Sequence, residues 1–120
     1  MNDPLTEKII GCCFRVHSEL GPGFIEKIYH NALALELRTA NITHKKEETF
    51  KVFYQDISVG SFKVDIVVDS KVIVELKAVN GKTPNIFEAQ VLSYLKASGL
   101  NTGLLVNFGK RQCQIKRLVV

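Results

Sequence analysis

The sequence predicts a mixed α/β fold in which a mixed β-sheet is flanked by helices, with the element order ααβββαββ. Apolar residues recur at helical spacing over residues 3–40 and again over 86–97, whereas runs of β-branched and apolar residues fill most of the remaining chain. The first three of these runs are separated by two-residue turn signals, the usual length of a β-hairpin turn. These observations favour a meander of strands placed between helices.

Two helices are expected at the start of the chain. The first runs from about Asp3 to Leu20, with Asp3 as its cap and Pro4 at its first position. Gly21-Pro22-Gly23 then breaks the helical pattern. The second helix runs from about Phe24 to Ala40, and Asn41 is suited to end it in a left-handed conformation.

Three strands are expected next, and they should pair as an antiparallel meander. They cover about Glu47 to Tyr54, Ile57 to Val68 and Lys71 to Val79. The connections are Gln55-Asp56 and Asp69-Ser70, which are short enough to require hairpin turns.

One helix and two strands complete the predicted fold. Asn80 to Asn85 is expected to be a loop, and Ile86 to Ala97 has helical spacing that stops at Gly99. Strands follow at Thr102 to Phe108 and Gln114 to Val120. The first of these two strands comes after a crossover helix, so it can pair parallel to an earlier strand.

Composition predicts a single cytoplasmic domain over residues 1–120. The chain is 46% hydrophobic and 23% charged, and no apolar run approaches the ~18 residues of a membrane span. Its start lacks the features of a signal peptide. The net charge of +4 suits a polyanionic partner but is also common in proteins that bind none. The three cysteines lack the spacing of a disulfide framework or a zinc site, so free thiols are expected.

Three charged residues on two neighbouring strands indicate a metal-dependent site. Alternation places Glu75 and Lys77 side by side on one face of their strand. Asp65 lies in an apolar stretch of the preceding strand, about as far from the hairpin turn as Glu75, so the two acids can lie opposite each other. Paired carboxylates favour a hard cation such as Mg²⁺, and Lys77 can orient a water molecule. A lone Glu-x-Lys is usually a surface charge pair, but the three residues together are more specific.

The pattern Asp65, then Glu75-Leu76-Lys77 followed by a helix, resembles the D-x(n)-(D/E)-x-K signature of the PD-(D/E)xK nuclease superfamily, with Val64 in place of the proline. A longer stretch, Leu20 to Tyr29, is similar to the hallmark of the GxxExxY family of that superfamily. Later segments of that family's pattern match Glu88 to Lys96 and Gly103 to Gly109. The resemblance implies a restriction-endonuclease-like core.

The same resemblance implies a mechanism. Asp65 and Glu75 would bind Mg²⁺, for which Mn²⁺ can substitute, and the Leu76 backbone carbonyl would be a third ligand. Lys77 would position the attacking water. The implied reaction is hydrolysis of the phosphodiester bonds of nucleic acid.

Two further residues resemble catalytic elements of the superfamily. Glu26 resembles an early helical glutamate that reaches the metal cluster, although compensation of the helix dipole explains it equally well. Gln90 and Tyr94 are one turn apart and resemble the Q-x-x-x-Y element of RecB-like nucleases. We expect Gln90 to face the active site, and Tyr94 to contact substrate or to pack with a hydrogen-bonded hydroxyl.

His17 and Tyr29 are weaker candidates for contacting substrate. His17 lies within the hallmark region, but a histidine beside a Gly-Pro-Gly break is more often a structural hydrogen-bonding residue. Tyr29 lies one turn after Glu26, where its hydroxyl can reach Glu26 or a phosphate, and packing is the alternative.

Other functions use the same residues. A metal-dependent phosphoesterase acting on a small substrate would need the same three charged side chains, and a non-catalytic binding or assembly module could keep the fold alone. A homodimer is also expected, because the terminal strand Gln114 to Val120 offers an edge for pairing.

Overall fold

A computed structural model describes residues 3–120 and confirms the predicted fold class and element order. The helices and strands, in chain order, are α1 Pro4–Leu20, α2 Glu26–Thr39, β1 His44–Tyr54, β2 Ile57–Val68, β3 Val72–Lys77, α3 Ile86–Ser98, β4 Thr102–Asn107 and β5 Gln114–Val119. Within these residues no helix is both long enough and apolar enough to cross a membrane.

The helix ends follow the signals in the sequence. The Asp3 carboxylate accepts a hydrogen bond from the Leu5 N–H at 3.1 Å, which satisfies one of the free donors at the start of α1. Asn41 adopts a φ of 58° just after α2, and Gly99 adopts a φ of 78° just after α3. These left-handed residues end the helices as predicted. Glu26 begins α2, so it lies in the first turn.

The five strands form one mixed sheet in the order β1-β2-β3-β4-β5. β1, β2 and β3 pair antiparallel as the predicted meander, β4 pairs parallel to β3 after the α3 crossover, and β5 pairs antiparallel to β4. Both residues of each hairpin turn, Gln55-Asp56 and Asp69-Ser70, have positive φ. That conformation is typical of type I′ turns, whose twist matches the twist of the paired strands.

The sheet separates two apolar cores. The larger core lies under α1 and α2 and includes Val72, Val74 and Leu76 of β3. The smaller core lies under α3 and includes Ile73 of the same strand. The alternation predicted for β3 is therefore confirmed, and the odd-numbered side chains of β3 face α3.

The β1–β2 hairpin extends beyond the rest of the sheet as a two-stranded ribbon. β2 pairs with β3 only at residues 66–68, whereas it pairs with β1 out to Tyr54 and Ile57. The base of the ribbon is packed against α3 by ring stacking, with Phe62 4.2 Å from Tyr94 and 5.7 Å from Phe50 between ring centroids. α3 therefore supports the ribbon where it leaves the sheet.

Candidate active site

Asp65 lies where β2 separates from β3. The last backbone pair between β2 and β3 is Ile66 with Val74. Beyond it, hydrogen bonds from side chains take the place of those between the two backbones. The Asp65 N–H donates to Glu75 Oε1 at 2.8 Å, and the Leu76 N–H donates to Asp65 Oδ2 at 2.7 Å. Each carboxylate lies against the backbone of the opposite strand, so the two acids are held side by side, as their distances from the hairpin turn predict.

The regular alternation of side chains along β2 is interrupted at Asp65. Val64 and Val67 both pack in the core under α3, although strict alternation would place residues three apart on opposite faces. Asp65 also has no Cα partner in the β1 ladder, and the residue facing it, Glu47, has a φ of 55°. The side chains of β2 therefore change faces at the same point where the ribbon leaves the sheet.

Glu75 is an acid held in an unfavourable environment. Its side chain is in the interior, with 5% of the residue exposed. Burial and, next in size, the negative charge of Asp65 raise the pKa of Glu75 to about 7, against opposing effects of the Asp65 N–H and of Lys77. A carboxylate pair of this kind gains from any cation that binds between the two acids.

Lys77 is held by an aromatic ring on α3. Its Nζ lies 4.4 Å from the centroid of the Phe87 ring, a cation–π contact. In the described part of the chain Lys77 forms no ion pair within 4.0 Å of a carboxylate. Its charge nevertheless lowers the pKa of Glu75 and of Glu26, so the ammonium group is close to both acids.

Glu26 reaches the same region from the exposed start of α2. The pKa of its carboxyl is raised by partial burial and by the charge of Asp65, and lowered by Lys77. The structure therefore brings together all four charged residues that the sequence singled out. Over residues 3–120, however, no three His, Cys, Asp or Glu side chains are close enough to form a metal-binding group. Glu26 therefore lies near Asp65 and Lys77 without completing a group of three ligands.

We call the point at Asp65 where β2 separates from β3 the fork. The oxygen atoms available there fit a hard cation. One oxygen each of Asp65 and Glu75 accepts no hydrogen bond from the described residues, which leaves it available to a ligand. The Lys77 carbonyl accepts from the N–H of Phe108, directly after the neighbouring strand β4, at 2.8 Å, so the preceding carbonyl, that of Leu76, points the opposite way, toward Asp65. Two carboxylate oxygens and one carbonyl oxygen are the ligand types that Mg²⁺ prefers.

α3 carries Tyr94 near the carboxylates. The charges of Glu75 and Asp65 contribute, after burial, to raising the pKa of Tyr94, so the phenol lies near both acids. Its ring packs on Phe62, but its hydroxyl makes no hydrogen bond to residues 3–120, contrary to the hydrogen-bonded hydroxyl that was expected. Gln90 lies one turn earlier, and its Oε1 is buried without a partner among the described residues.

The contacts of Tyr29 support the packing alternative over contact with substrate. The side chain is fully buried and stacks on Phe108 with ring centroids 4.6 Å apart. Its hydroxyl donates to the Gly21 carbonyl at 2.5 Å and accepts from the Phe24 N–H at 3.2 Å. The hydroxyl therefore links the Gly-Pro-Gly break to α2.

We expect Tyr29→Phe to lower the free energy of unfolding by about 1–3 kcal/mol, because two backbone groups at the break lose a buried partner. Urea denaturation measures this change. Metal binding and any cleavage activity should be unchanged. A variant that is as stable as the wild type but inactive would instead give the hydroxyl a direct role.

His17 is also occupied by a structural contact. The residue is buried, its ring stacks near Phe108, and its Nε2 lies 2.8 Å from the Lys110 carbonyl. Because a carbonyl only accepts, Nε2 carries the proton. This supports the structural alternative for His17 over contact with substrate.

Asn107 is a buried polar residue that the sequence patterns did not indicate as part of the site. Its carboxamide accepts from the Val79 N–H at 3.1 Å and the Gly109 N–H at 2.9 Å, and donates to the Val79 carbonyl at 3.1 Å and Thr83 Oγ1 at 3.0 Å. Val79 is thereby bonded to a side chain in place of a strand, which is why β3 ends at Lys77 and not at the predicted Val79. The available signal was an asparagine inside an apolar strand, where an unpaired amide is costly.

Comparison with known proteins gives one family match and one similar structure. A model of the PD-(D/E)XK nuclease superfamily matches residues 3–118. No curated protein matches the chain. The crystal structure of SSO0001 is similar in fold, with a TM-score of 0.58 and 16% identity over 78% of this chain. That alignment covers 48% of the SSO0001 chain, so this chain corresponds to about half of it.

Proposed function

This chain belongs to the PD-(D/E)XK nuclease superfamily, and from that premise we propose that it is a Mg²⁺-dependent nuclease whose active site is the fork between β2 and β3. The observation that supports this best is the Asp65–Glu75 pair. Its two carboxylates are adjacent, the Glu75 side chain is buried, and each acid keeps one oxygen free of hydrogen bonds from the described residues. We also propose the GxxExxY family within the superfamily, on the motif around Glu26 and Tyr29.

The charged residues would have two roles, metal binding and positioning of the attacking water. Asp65, Glu75 and the Leu76 carbonyl would hold the divalent cation, which when bound polarises the phosphate and lowers the pKa of a coordinated water. Lys77 would orient the attacking water and offset charge that develops on the phosphoryl oxygens. The Phe87 ring keeps the Lys77 ammonium beside the acids without neutralising it.

Glu26 and Gln90 would act at the edges of the site. We propose that Glu26 binds a metal-bound water, since its carboxyl at the start of α2 lies within the influence of the Asp65 and Lys77 charges. The unpaired Gln90 Oε1 is an acceptor for a second water or for a substrate donor.

A non-catalytic module is the weaker explanation for these residues. Burying Glu75 next to Asp65 raises the pKa of Glu75, which means that its ionised form destabilises the metal-free protein near neutral pH. A surface that only assembles or binds gains nothing from such a pair. A phosphoesterase that acts on a small substrate uses the same groups, and the choice of substrate separates it from a nuclease.

The test combines metal binding with cleavage. Mg²⁺ and Mn²⁺ are titrated calorimetrically into the wild type and Lys77→Ala, and both proteins are incubated with plasmid, single-stranded DNA and RNA. We expect metal-dependent cleavage by the wild type, and a loss of at least about 100-fold in Lys77→Ala with metal binding retained. Lys71→Ala is the matched control, because Lys71 is an exposed lysine at the turn of the same hairpin.

Two results would contradict the proposal. Failure of the wild type to bind either metal would remove the role of the acid pair. Metal binding with no cleavage of any of the three substrates would leave phosphodiester hydrolysis of nucleic acid unsupported, and hydrolysis of a small phosphoester would then become the better assignment.

A further inference from the structure

The far end of the β1–β2 ribbon carries an apolar surface that no other described part of the chain covers. Phe53, Tyr54, Ile57 and Val59 expose 62, 66, 66 and 60% of their surface. Residues 57–65 lie beyond the last β2–β3 pair, which corresponds to about 30 Å of extended chain. We call residues 52–60 the ribbon tip. Four large apolar side chains gathered at the end of a projection are unusual for an unliganded surface.

The ribbon between its tip and the fork carries positive charge on one face. Phe50 and Phe62 are paired across the ribbon and turn toward α3. Lys51 and Lys63 are their next neighbours along each strand, so alternation places both lysines on the opposite face, and both are exposed. Asp56, in the turn, is the one acidic residue between these lysines. Between the lysines and the tip the two strands therefore carry no carboxylate, and the acids of β1, Glu47 and Glu48, lie at the base of the ribbon.

The ribbon is also continuous with the proposed active site. It leaves the sheet at Asp65, and Phe62 at its base stacks on Tyr94, a residue that the charges of Glu75 and Asp65 reach. A flexible polymer that lies along the ribbon would pass the fork. A substrate with apolar faces and a repeated negative charge matches the two features that the ribbon offers.

We infer that the ribbon tip and its lysine face form a docking surface for unpaired nucleic acid. Bases stack on Phe53 and Tyr54, which lie on opposite faces at the end of the ribbon, and phosphates lie near Lys51 and Lys63, which directs the strand toward Asp65. Stacking on aromatic rings tolerates any base sequence, so the surface gives affinity without sequence specificity. This inference rests on the proposed function, because it names the form of nucleic acid that the same site would receive.

A second copy of the chain fits the ribbon tip less well. The four apolar side chains together expose roughly 500 Å². A stable protein–protein interface buries about 800 Å² on each partner. The tip alone is too small for a stable dimer, and the two lysines on each ribbon would repel in a symmetric pairing.

The test measures binding without cleavage. A labelled oligothymidine, and a duplex of the same length, are titrated with the wild type and with Phe53→Ala/Tyr54→Ala in EDTA, and fluorescence anisotropy is recorded. Phe14→Ala/Leu35→Ala is the matched control, since these residues are 50 and 56% exposed but lie on α1 and α2. We expect single-strand binding to weaken at least about tenfold in the tip variant and to stay unchanged in the control.

Each other outcome has a definite meaning. Equal single-strand binding by the wild type and the tip variant would overturn the inference, and so would a wild-type dimer that becomes a monomer in the tip variant by light scattering. Hydrolysis of bis(p-nitrophenyl) phosphate by the wild type with Mn²⁺ is measured separately. If that reaction fails while the tip variant loses binding, the docking surface stands and the proposed function falls.

Discussion

Replacing Glu75 with glutamine is expected to stabilise the metal-free protein at pH 8 while greatly weakening metal binding. Burial and the charge of Asp65 raise the pKa of Glu75 to about 7 in the folded state. The folded protein therefore binds this proton more tightly than the unfolded chain, and its stability falls as the pH rises from about 4.5 to about 7. Above that window the ionised carboxylate costs up to about 3 kcal/mol, which glutamine removes.

The size of the gain should depend on pH. Glutamine keeps an oxygen that can accept from the Asp65 N–H, so the local hydrogen bond survives the substitution. Urea denaturation at pH 8 should show a gain of about 2–3 kcal/mol, and at pH 4 the gain should vanish because Glu75 is then neutral in both states. Glu48→Gln, in the edge strand β1, is the matched control.

Metal binding should change in the opposite direction. Mg²⁺ and a proton compete for Glu75, so wild-type affinity should fall by up to about tenfold for each pH unit below 7. The Glu75→Gln variant should bind Mg²⁺ at least about tenfold more weakly at pH 8 and should not be stabilised by it. A variant that is less stable than the wild type at pH 8 would show that the carboxylate is already neutralised by groups of the chain itself.

The second large effect is expected at Gly109. A Cβ at this position would lie 2.6 Å from the Ala78 carbonyl carbon and 2.6 Å from the Val79 carbonyl oxygen, closer than real contacts allow. These are backbone atoms bonded through Asn107, so no side chain can rotate away to make room. Gly109→Ala should therefore lower the free energy of unfolding by about 3 kcal/mol.

The same substitution should also reduce cleavage. The backbone that the new methyl group would displace begins directly after Lys77, so the position of the ammonium relative to the acids would change. Gly11→Ala in α1 is the matched control, because a Cβ there meets only the Arg15 side chain, at an ordinary contact distance of 3.6 Å, and the protein should lose no stability. Denaturation curves and cleavage rates of the two variants, measured together, test this prediction. A Gly109→Ala protein with wild-type stability would mean that β3 and β4 separate more easily than their packing indicates.

Local signals predicted most of the fold. The two hairpin turns and the helix ends depend on residues adjacent in sequence, and they were found where Asp69-Ser70, Asn41 and Gly99 predict. The starts and ends of strands were predicted less well. β1 begins at His44 and not at the predicted Glu47, since an exposed edge strand can carry charged residues that hide its pattern.

The parts of the site that escaped prediction depend on contacts distant in sequence. The positions of Asp65 and Glu75 follow from one hairpin, so spacing was enough to place them together. The hydrogen bonds from Asn107 to Val79 form only when β4 lies beside β3. The contact of Lys77 with the Phe87 ring forms only when α3 packs on the sheet. The burial of Tyr29 depends on Phe108, which is far away in the chain. No periodicity within a single segment reports such contacts.

At the fork, carboxylate oxygens replace peptide carbonyls as hydrogen-bond acceptors, so two backbone amides report on the charge state of the site. The amide protons of Asp65 and Leu76 are bound to Glu75 and Asp65 carboxylate oxygens and not to peptide carbonyls. In an ¹⁵N-labelled sample their chemical shifts will follow the ionisation of the acids directly. The arrival of a cation can therefore be observed by NMR at two resolved backbone signals, without a substrate and without any change to the sequence.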